Sequence, residues 1–164
     1  MKKKSLLIAT TAVALSFSQI ADAQISRGGL PLTMQKEMPE SYVPVLRYER
    51  PDWEAYLAKE QTMSPERLFA QSYKVGLHVN TDISFPASGV MTTLPDGSRV
   101  WRAAVEINQV PAMGFLFDRF HLPKGVKLFF TNENLRQVAG AFDASNNDES
   151  GVFAVDAIQG EKVF

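Results

Sequence analysis

The stretch GFLFDRFHLPKGVKLFF, residues 114–130, decides the fold class. It holds five phenylalanines and three leucines around the polar pair Asp118 and Arg119. Apolar residues alternate on both sides of a Pro-Lys-Gly turn at 123–125, and such alternation predicts strands that are buried on one face. The alternating residues are Phe115 and Phe117 before the turn and Val126, Leu128 and Phe130 after it. We therefore predict a hairpin of two core strands, with Asp118 and Arg119 as a polar hinge.

Short runs of alternating apolar residues recur along the chain. YKVGLHVN at 73–80 predicts a strand, and LPDGSR at 94–99 predicts a hairpin turn between two more strands. Further strands are predicted in AMGFLFDRF, GVKLFFT, QVAGAFD, GVFAVDAI and KVF. Many short strands separated by turn residues are typical of β-sandwiches. We therefore predict an all-β fold, an antiparallel β-sandwich over residues 71–164 that follows a short helical or irregular amino-terminal segment.

Residues 24–70 are predicted to form an extended leader with short helices. One short strand is expected in YVPVLRY. In PDWEAYLAKEQ, Trp53 and Tyr56 share one helical face and Asp52 can cap the first turn, which predicts a short amphipathic helix. SPERLF at 64–69 repeats the start signal, with serine as the cap and proline at the first helical position.

The first 23 residues are typical of a secretory signal peptide. MKKKS is positively charged, LLIATTAVALSF is apolar, and Ala21 and Ala23 form a small-x-small cleavage site before Gln24. The apolar run is too short to cross a bilayer whose hydrocarbon core is about 30 Å thick. We therefore predict cleavage between Ala23 and Gln24, and a mature chain that is secreted or periplasmic and has no membrane anchor.

The composition excludes several classes of function. The chain has no cysteine, which excludes disulfides, thiolate zinc sites and cysteine catalysis. Its net charge is −1, and removal of the three lysines and one aspartate of the signal peptide leaves 17 − 3 = 14 positive and 18 − 1 = 17 negative residues, a charge of −3. Without a basic excess, nucleic acid is not expected as a partner.

The chain offers few residues for catalysis or metal binding. His78 and His121 are its two histidines, and a hydrolase that uses His121 with Asp118 is one alternative. No serine stands in the context of a catalytic nucleophile, however. DASNNDESG at 143–151 resembles a calcium loop in spacing, but Asp148 occupies the place of the sharp-turn glycine. We predict a solvated hairpin turn there, and no catalytic residue, metal or cofactor.

Three aromatic residues, Trp53, Tyr56 and Trp101, are candidate binding residues. Their spacing matches amphipathic periodicity, which favours packing in a core or at an interface. We predict that they contribute to a partner-binding surface. The alternative is a carbohydrate- or cell-surface-binding module in which these rings stack on sugars.

Four motifs carry a family resemblance: TTLPDGSRVWRAAVEI, GFLFDRFHLPKGVKLFF, VAGAFD and NNDESGVFAVDAIQGEKV. In this order they resemble the amino-terminal domain of secreted lysyl-endopeptidase-like serine proteases of the trypsin family. QISRGGLPLTM, which begins at Gln24, resembles exported precursors of the Bacteroidetes type. The resemblance extends over roughly residues 24–164 and is strongest after Val90. It implies a region that precedes a trypsin-like catalytic domain, whose catalytic residues this sequence does not contain.

The resemblance implies a non-catalytic pro-domain-like or accessory module. Its expected partner is a serine protease domain, normally in the same precursor, whose folding or latency it would assist. The leader is expected to be a flexible arm, with Lys36, Arg47 and Arg50 as cleavage points for a basic-specific protease. Because the sequence stops at GEKVF, inside a predicted strand, the β-sandwich is expected to be truncated at its carboxy end.

Overall fold

Short strands make up most of the regular structure. The computed structural model describes residues 25–70 and 74–164. Helices account for 14% of the structure, and the all-β class is confirmed. The helices described are α1 (Leu32–Gln35), α2 (Trp53–Gln61), α3 (Pro65–Ala70) and a 3-10 turn at Ala144–Asn146. The strands described are β1 (Val45–Tyr48), β2 (Val90–Thr93), β3 (Arg99–Arg102), β4 (Ala104–Ile107), β5 (Ala112–Phe117), β6 (Leu128–Thr131), β7 (Val138–Phe142), β8 (Phe153–Gln159) and β9 (Lys162–Val163).

β4 is the centre of a mixed sheet. β1 pairs with it in parallel, with Val45 opposite Ala104, and β9 pairs with it antiparallel. Beyond β9, the backbone of Phe164 exchanges two hydrogen bonds of 2.9 Å with Thr131 at the end of β6. β9 therefore connects the β1–β4 pair to the antiparallel β6–β7 pair.

β5 and β8 form a separate antiparallel pair with a bulge between Met113 and Phe115. The side chain of Gln137, just before β7, attaches this pair to the rest of the fold. Its Nε2 donates to the carbonyl of Ala157 at 3.1 Å, and its Oε1 accepts from the N–H of Gln159 at 2.8 Å. The side-chain amide of Gln137 thus makes hydrogen bonds to the backbone of β8 of the kind that a neighbouring strand would make.

The core is formed mainly by phenylalanine rings. Phe120 stacks on Phe153 with ring centroids 4.1 Å apart, and Phe142 meets Phe153 edge-on at 5.2 Å. The buried core residues are Ile107, Met113, Phe120, Phe130, Phe142, Phe153, Val155, Ile158 and Val163. Eight of them come from β4, β9, β6, β7 and the β5–β8 pair, and Phe120 lies in the segment after β5. Apolar burial of this kind is the main force that holds a chain without disulfides together.

The stretch 114–130 supplies the core as predicted, but its two strands do not form a hairpin. Phe115 of β5 stacks on Phe130 of β6, with ring centroids 4.9 Å apart. β5 nevertheless pairs with β8, and β6 pairs with β7. The hairpin prediction was wrong because alternation fixes which face of a strand is buried, and not which strand is its neighbour. The side chains of Asp118 and Arg119 are 91% and 89% exposed, so this pair meets solvent as predicted, although the two strands on either side of it do not form a hairpin.

The strand predicted at 73–80 is wrong for the described residues 74–80, which have no regular secondary structure. The predicted alternation is found at residues 77–80, where Leu77 and Val79 are half-buried and His78 and Asn80 are exposed. It fails at Val75, which was predicted to face inward and is 93% exposed. The segment has no ladder partner among the described residues.

The segment 143–151 is not a hairpin turn, because β7 and β8, which it connects, pair with different strands. The side chain of Asp143 accepts from the N–H of Ser145 and caps the 3-10 turn. Asn147 holds the segment against the polar hinge region: its Oδ1 accepts from the N–H of Leu122 at 2.8 Å, and its Nδ2 donates to the carbonyl of Leu122 at 2.9 Å.

The leader contains the predicted elements but is not a free arm. β1 lies in YVPVLRY, and α2 starts after Asp52, whose side chain accepts from the N–H of Ala55 at 2.8 Å. The expected flexibility is wrong for β1, which is part of the mixed sheet, and for Arg27, whose N–H donates to the carbonyl of Ala141 at 2.9 Å. The boundaries at 24–70 and 71–164, the sandwich arrangement and the expected truncation stay predictions.

Candidate partner-binding surface

The β2–β3 hairpin positions Trp101 on an outer face. Gly97 takes a positive φ of 82° in the turn, as the PDG motif predicts, and the N–H of Leu94 donates to the carbonyl of Ser98 at 2.8 Å. This turn sets the register that places Met91 directly opposite Trp101. Because successive side chains of a strand point to opposite faces, the neighbouring Thr92 points inward and is buried.

The indole ring of Trp101 is held by three contacts. Its Nε1 donates a hydrogen bond of 3.1 Å to the carbonyl of Pro86. The ring of Phe85 meets it edge-on, with centroids 5.7 Å apart and an interplanar angle of 66°. The backbone of Gly89 lies against the ring so closely that a Cβ there would be 2.3 Å from Cε2. The orientation of Trp101 is therefore fixed by its surroundings.

We refer to Phe85, Pro86, Met91 and Trp101 as the aromatic patch. Phe85 is 68% exposed and Met91 is 41% exposed, although both are large apolar residues. Exposed apolar side chains that adjoin one another are typical of interaction sites, whereas single ones are ordinary. Trp101 thus lies in a group of neighbouring exposed apolar residues, and its predicted role in partner binding stays a prediction.

Contacts on the inner side tie the hairpin to the leader. Arg102 Nη2 donates to the hydroxyls of Thr92, at 3.2 Å, and Ser41. At the turn, Lys36 Nζ is ion-paired with Asp96. The hydrogen bond from Lys36 and that from the N–H of Ser98 lower the pKa of the Asp96 carboxyl from 3.8 to about 2. The surface is therefore anchored from behind by leader residues.

Trp53 and Tyr56 form a second aromatic cluster. Their rings stack at 5.1 Å on one side of α2, and Lys74 Nζ lies 5.3 Å from the Tyr56 ring centroid in a cation–π contact. Both residues are half-buried, and no described residue of α2 is fully buried. The ring contacts described for Trp101 involve Phe85 alone, so the three predicted residues fall into two separate clusters.

The histidines and the acidic loop show no arrangement that points to catalysis. His78 and His121 are exposed, and neither lines the depressions of about 480 and 210 Å³ beside Ser64 and Asp96. Within residues 25–70 and 74–164, no group of three histidine, aspartate or glutamate side chains is placed to hold a metal ion. The predicted absence of catalysis, metal and cofactor stays a prediction.

The residues of the predicted signal-peptide cleavage site, Ala21, Ala23 and Gln24, lie outside the described residues. Among the helices that are described, none has the length and apolar character needed to cross a bilayer.

Sequence reasoning missed Phe85 and Met91. Met91 could have been found by counting outward from the PDG turn, because the turn places it opposite Trp101. Phe85 lies in an irregular segment, where periodicity carries no information.

No protein family, curated protein or solved structure matches the chain.

Proposed function

We propose that this chain is a non-catalytic accessory module that binds a partner protein through the aromatic patch. The proposal depends on one observation: Trp101, whose ring orientation is fixed, lies beside the exposed side chains of Phe85 and Met91. Binding energy at protein interfaces is concentrated in a few aromatic residues, and a side chain that is already oriented loses little entropy on binding. The patch has both properties.

We further propose that the partner is a serine protease domain of the lysyl-endopeptidase type. Support for this partner comes from the four motifs that resemble the amino-terminal domain of such proteases, one of which contains the PDG turn and Trp101. The module would pack against the protease domain and assist its folding or hold it latent.

We favour a protein partner over a sugar for a geometric reason. A ring that stacks on a sugar needs an open face, whereas Trp53 and Tyr56 stack on each other. The indole of Trp101 is covered in part by Gly89, and its N–H is bonded within the chain. Carbohydrate binding is the outcome that a glycan array on the purified chain would reveal, and we expect no saturable binding there.

The binding test compares two substitutions of equally exposed residues. Phe85→Ser removes the patch residue that is 68% exposed, and Leu116→Ser removes a leucine of β5 that is 65% exposed. Loss of an aromatic residue that contributes about 1.4 kcal/mol to binding at an interface weakens Kd about tenfold. We expect Phe85→Ser to weaken binding to a lysyl endopeptidase catalytic domain by that factor, measured by calorimetry, and Leu116→Ser to bind like the unsubstituted chain.

A functional readout accompanies the binding test. The purified chain, added in trans during refolding of the protease domain, should change its refolding yield or its activity on a lysyl substrate. Equal weakening by both substitutions, or no effect of the chain on yield, activity and calorimetric heat, would refute the proposed function.

We also propose that the chain is exported and processed between Ala23 and Gln24. The charged, apolar and small-residue segments in that order support this. Amino-terminal sequencing of the protein recovered from the periplasm or medium of an expressing bacterium should begin at Gln24. Recovery of the intact amino terminus in the cytoplasm would contradict export.

A further inference from the structure

Residues 74–83, which we term the core strap, have no regular secondary structure and no strand partner among the described residues. Val79 packs against the hydrophobic core, and Leu77 and Ile83 are half-buried. None of the described backbone hydrogen bonds involves residues 74–81. The contacts described for residues 74–81 are therefore made by side chains.

Its first residues are accessible. Lys74 is exposed, and Val75 is 93% exposed. The one contact described for Lys74 is its cation–π contact with Tyr56, which is worth about 0.5–1 kcal/mol at an exposed site. Protease clefts bind substrates as extended strands through main-chain hydrogen bonds, and exposed segments with free backbone are preferred cleavage sites. Residues 74–76 are exposed and make no described backbone hydrogen bond.

The basic residues expected from the sequence to be cleavage points are less suitable. Arg47 lies inside β1 and is ion-paired with Glu106 at 3.2 Å. Arg50 is paired with Glu54 at 2.7 Å, next to the start of α2, and Lys36 is paired with Asp96. Cleavage after these residues requires local opening of the sheet, the helix start or the ion pair.

Lys124 and Lys127, in and after the turn at 123–125, are the next lysines to compare with Lys74 as cleavage sites. Lys124 lies in a turn that is closed by a hydrogen bond of 3.1 Å from the N–H of Val126 to the carbonyl of Pro123. Lys127 directly precedes β6. Leu128, on the other side of the peptide bond after Lys127, is paired with Phe142 of β7, whereas neither Lys74 nor Val75 has a described backbone hydrogen bond.

We propose that the Lys74–Val75 bond is a processing site for a lysine-specific endopeptidase. In the reaction, water is added across the peptide bond: the C–N bond breaks, Lys74 gains a carboxylate and Val75 gains an amino group. The inference rests on the proposed function where the endopeptidase that cuts at Lys74 is the same protein as the proposed partner.

The fold predicts that this cleavage nicks the module without separating its parts. β1 stays paired with β4, and the N–H of Arg27 stays bonded to the carbonyl of Ala141. The fragment after the nick, residues 75–164, has 164 − 74 = 90 residues and contains every core residue named above. Processing at Lys74 would therefore loosen the leader while the β-rich part remains intact.

The experiment is limited proteolysis of the full chain under native conditions with a low ratio of a lysine-specific serine endopeptidase. Intact mass spectrometry should show 75–164 as the first large fragment, which coelutes with the leader fragment in native size exclusion and separates from it in denaturant. Lys74→Gln should slow the first cleavage by about tenfold or more, because the next site needs local opening. Lys124→Gln is the matched control and should leave the rate unchanged.

A first cleavage at another lysine, or an unchanged rate in Lys74→Gln, would overturn the inference. The proposed function is tested independently, because Phe85→Ser should weaken partner binding but not the nick at Lys74. A nick without any partner binding would refute the proposed function alone. Partner binding that depends on Phe85, without a nick at Lys74, would refute the processing site alone.

Discussion

Replacing Gly89 with alanine tests how Trp101 is held. The added Cβ would lie 2.3 Å from Cε2 and 2.5 Å from Cζ2 of Trp101, and 2.6 Å from the carbonyl oxygen of Arg102. Ordinary carbon–carbon contacts are about 3.5–4.0 Å, so the overlap exceeds about 1 Å. The Arg102 carbonyl belongs to β3 and cannot move without disturbing its pairing with β2. The overlap is therefore relieved only if the backbone at Gly89 shifts and the indole moves as well.

The cost can be worked out from the contacts that the indole would lose. Its hydrogen bond to Pro86 is worth about 0.5–1.5 kcal/mol and its edge contact with Phe85 a similar amount. Alanine regains about 0.4–1 kcal/mol, because it restricts the unfolded chain. From these contacts alone, the net destabilisation of Gly89→Ala is about 1–2 kcal/mol, or roughly 2–8 °C in Tm for a chain of this size, and the backbone shift at Gly89 adds to it.

The assay is denaturant unfolding together with near-ultraviolet circular dichroism in a Trp53→Phe background, where Trp101 is the remaining tryptophan. Gly76→Ala is the matched control, because nothing lies within 4 Å of a Cβ at that position. We expect the tryptophan signal to weaken in Gly89→Ala and to persist in Gly76→Ala. If Gly89→Ala kept both the stability and the signal of the parent, the indole would not be seated as described.

Three further predictions concern the core, the loop tie and the ion pair. Phe142→Ala should cost about 3–5 kcal/mol in denaturant unfolding, because its side chain is 2% exposed and a cavity would remain. Asn147→Ala should cost about 1–3 kcal/mol by the same measurement, because the N–H and carbonyl of Leu122 would both lose a partner. Carboxyl NMR titration should give Asp96 a pKa of about 2, and Lys36→Gln should move it upward toward 3.8. Since folding lowers this pKa, the pair favours the folded state above pH 3.8, and its contribution is lost as the pH falls through about 2.

Local signals in the sequence predicted the local structure well. The PDG motif gave the correct hairpin, and Asp52 gave the correct start of α2. The fold class followed from many short alternating runs, and these runs do supply the core. Each of these features depends on residues that are close together in the chain, where sterics and hydrogen bonding act directly.

Pairing between distant segments could not be predicted. Nothing in the alternation of β1 indicates that it lies parallel to β4, and nothing in β5 indicates β8 as its neighbour. The strap 74–83 has the pattern of a strand but no partner, and a pattern alone cannot supply one. For the same reason Trp101 was identified as a candidate, whereas its contact with Phe85 depends on how the segment before β2 folds back.

The position of β9 has a consequence for the order of assembly. During synthesis β4 and β6 both leave the ribosome before β9, yet among the described residues the backbone hydrogen bonds that link the two strands run through β9 and Phe164. The sheet therefore exists as two halves until the intervening strand has been made, and its contacts are distant along the chain. Chains dominated by such contacts fold slowly, so the half-formed sheet should be the species most exposed to misassembly.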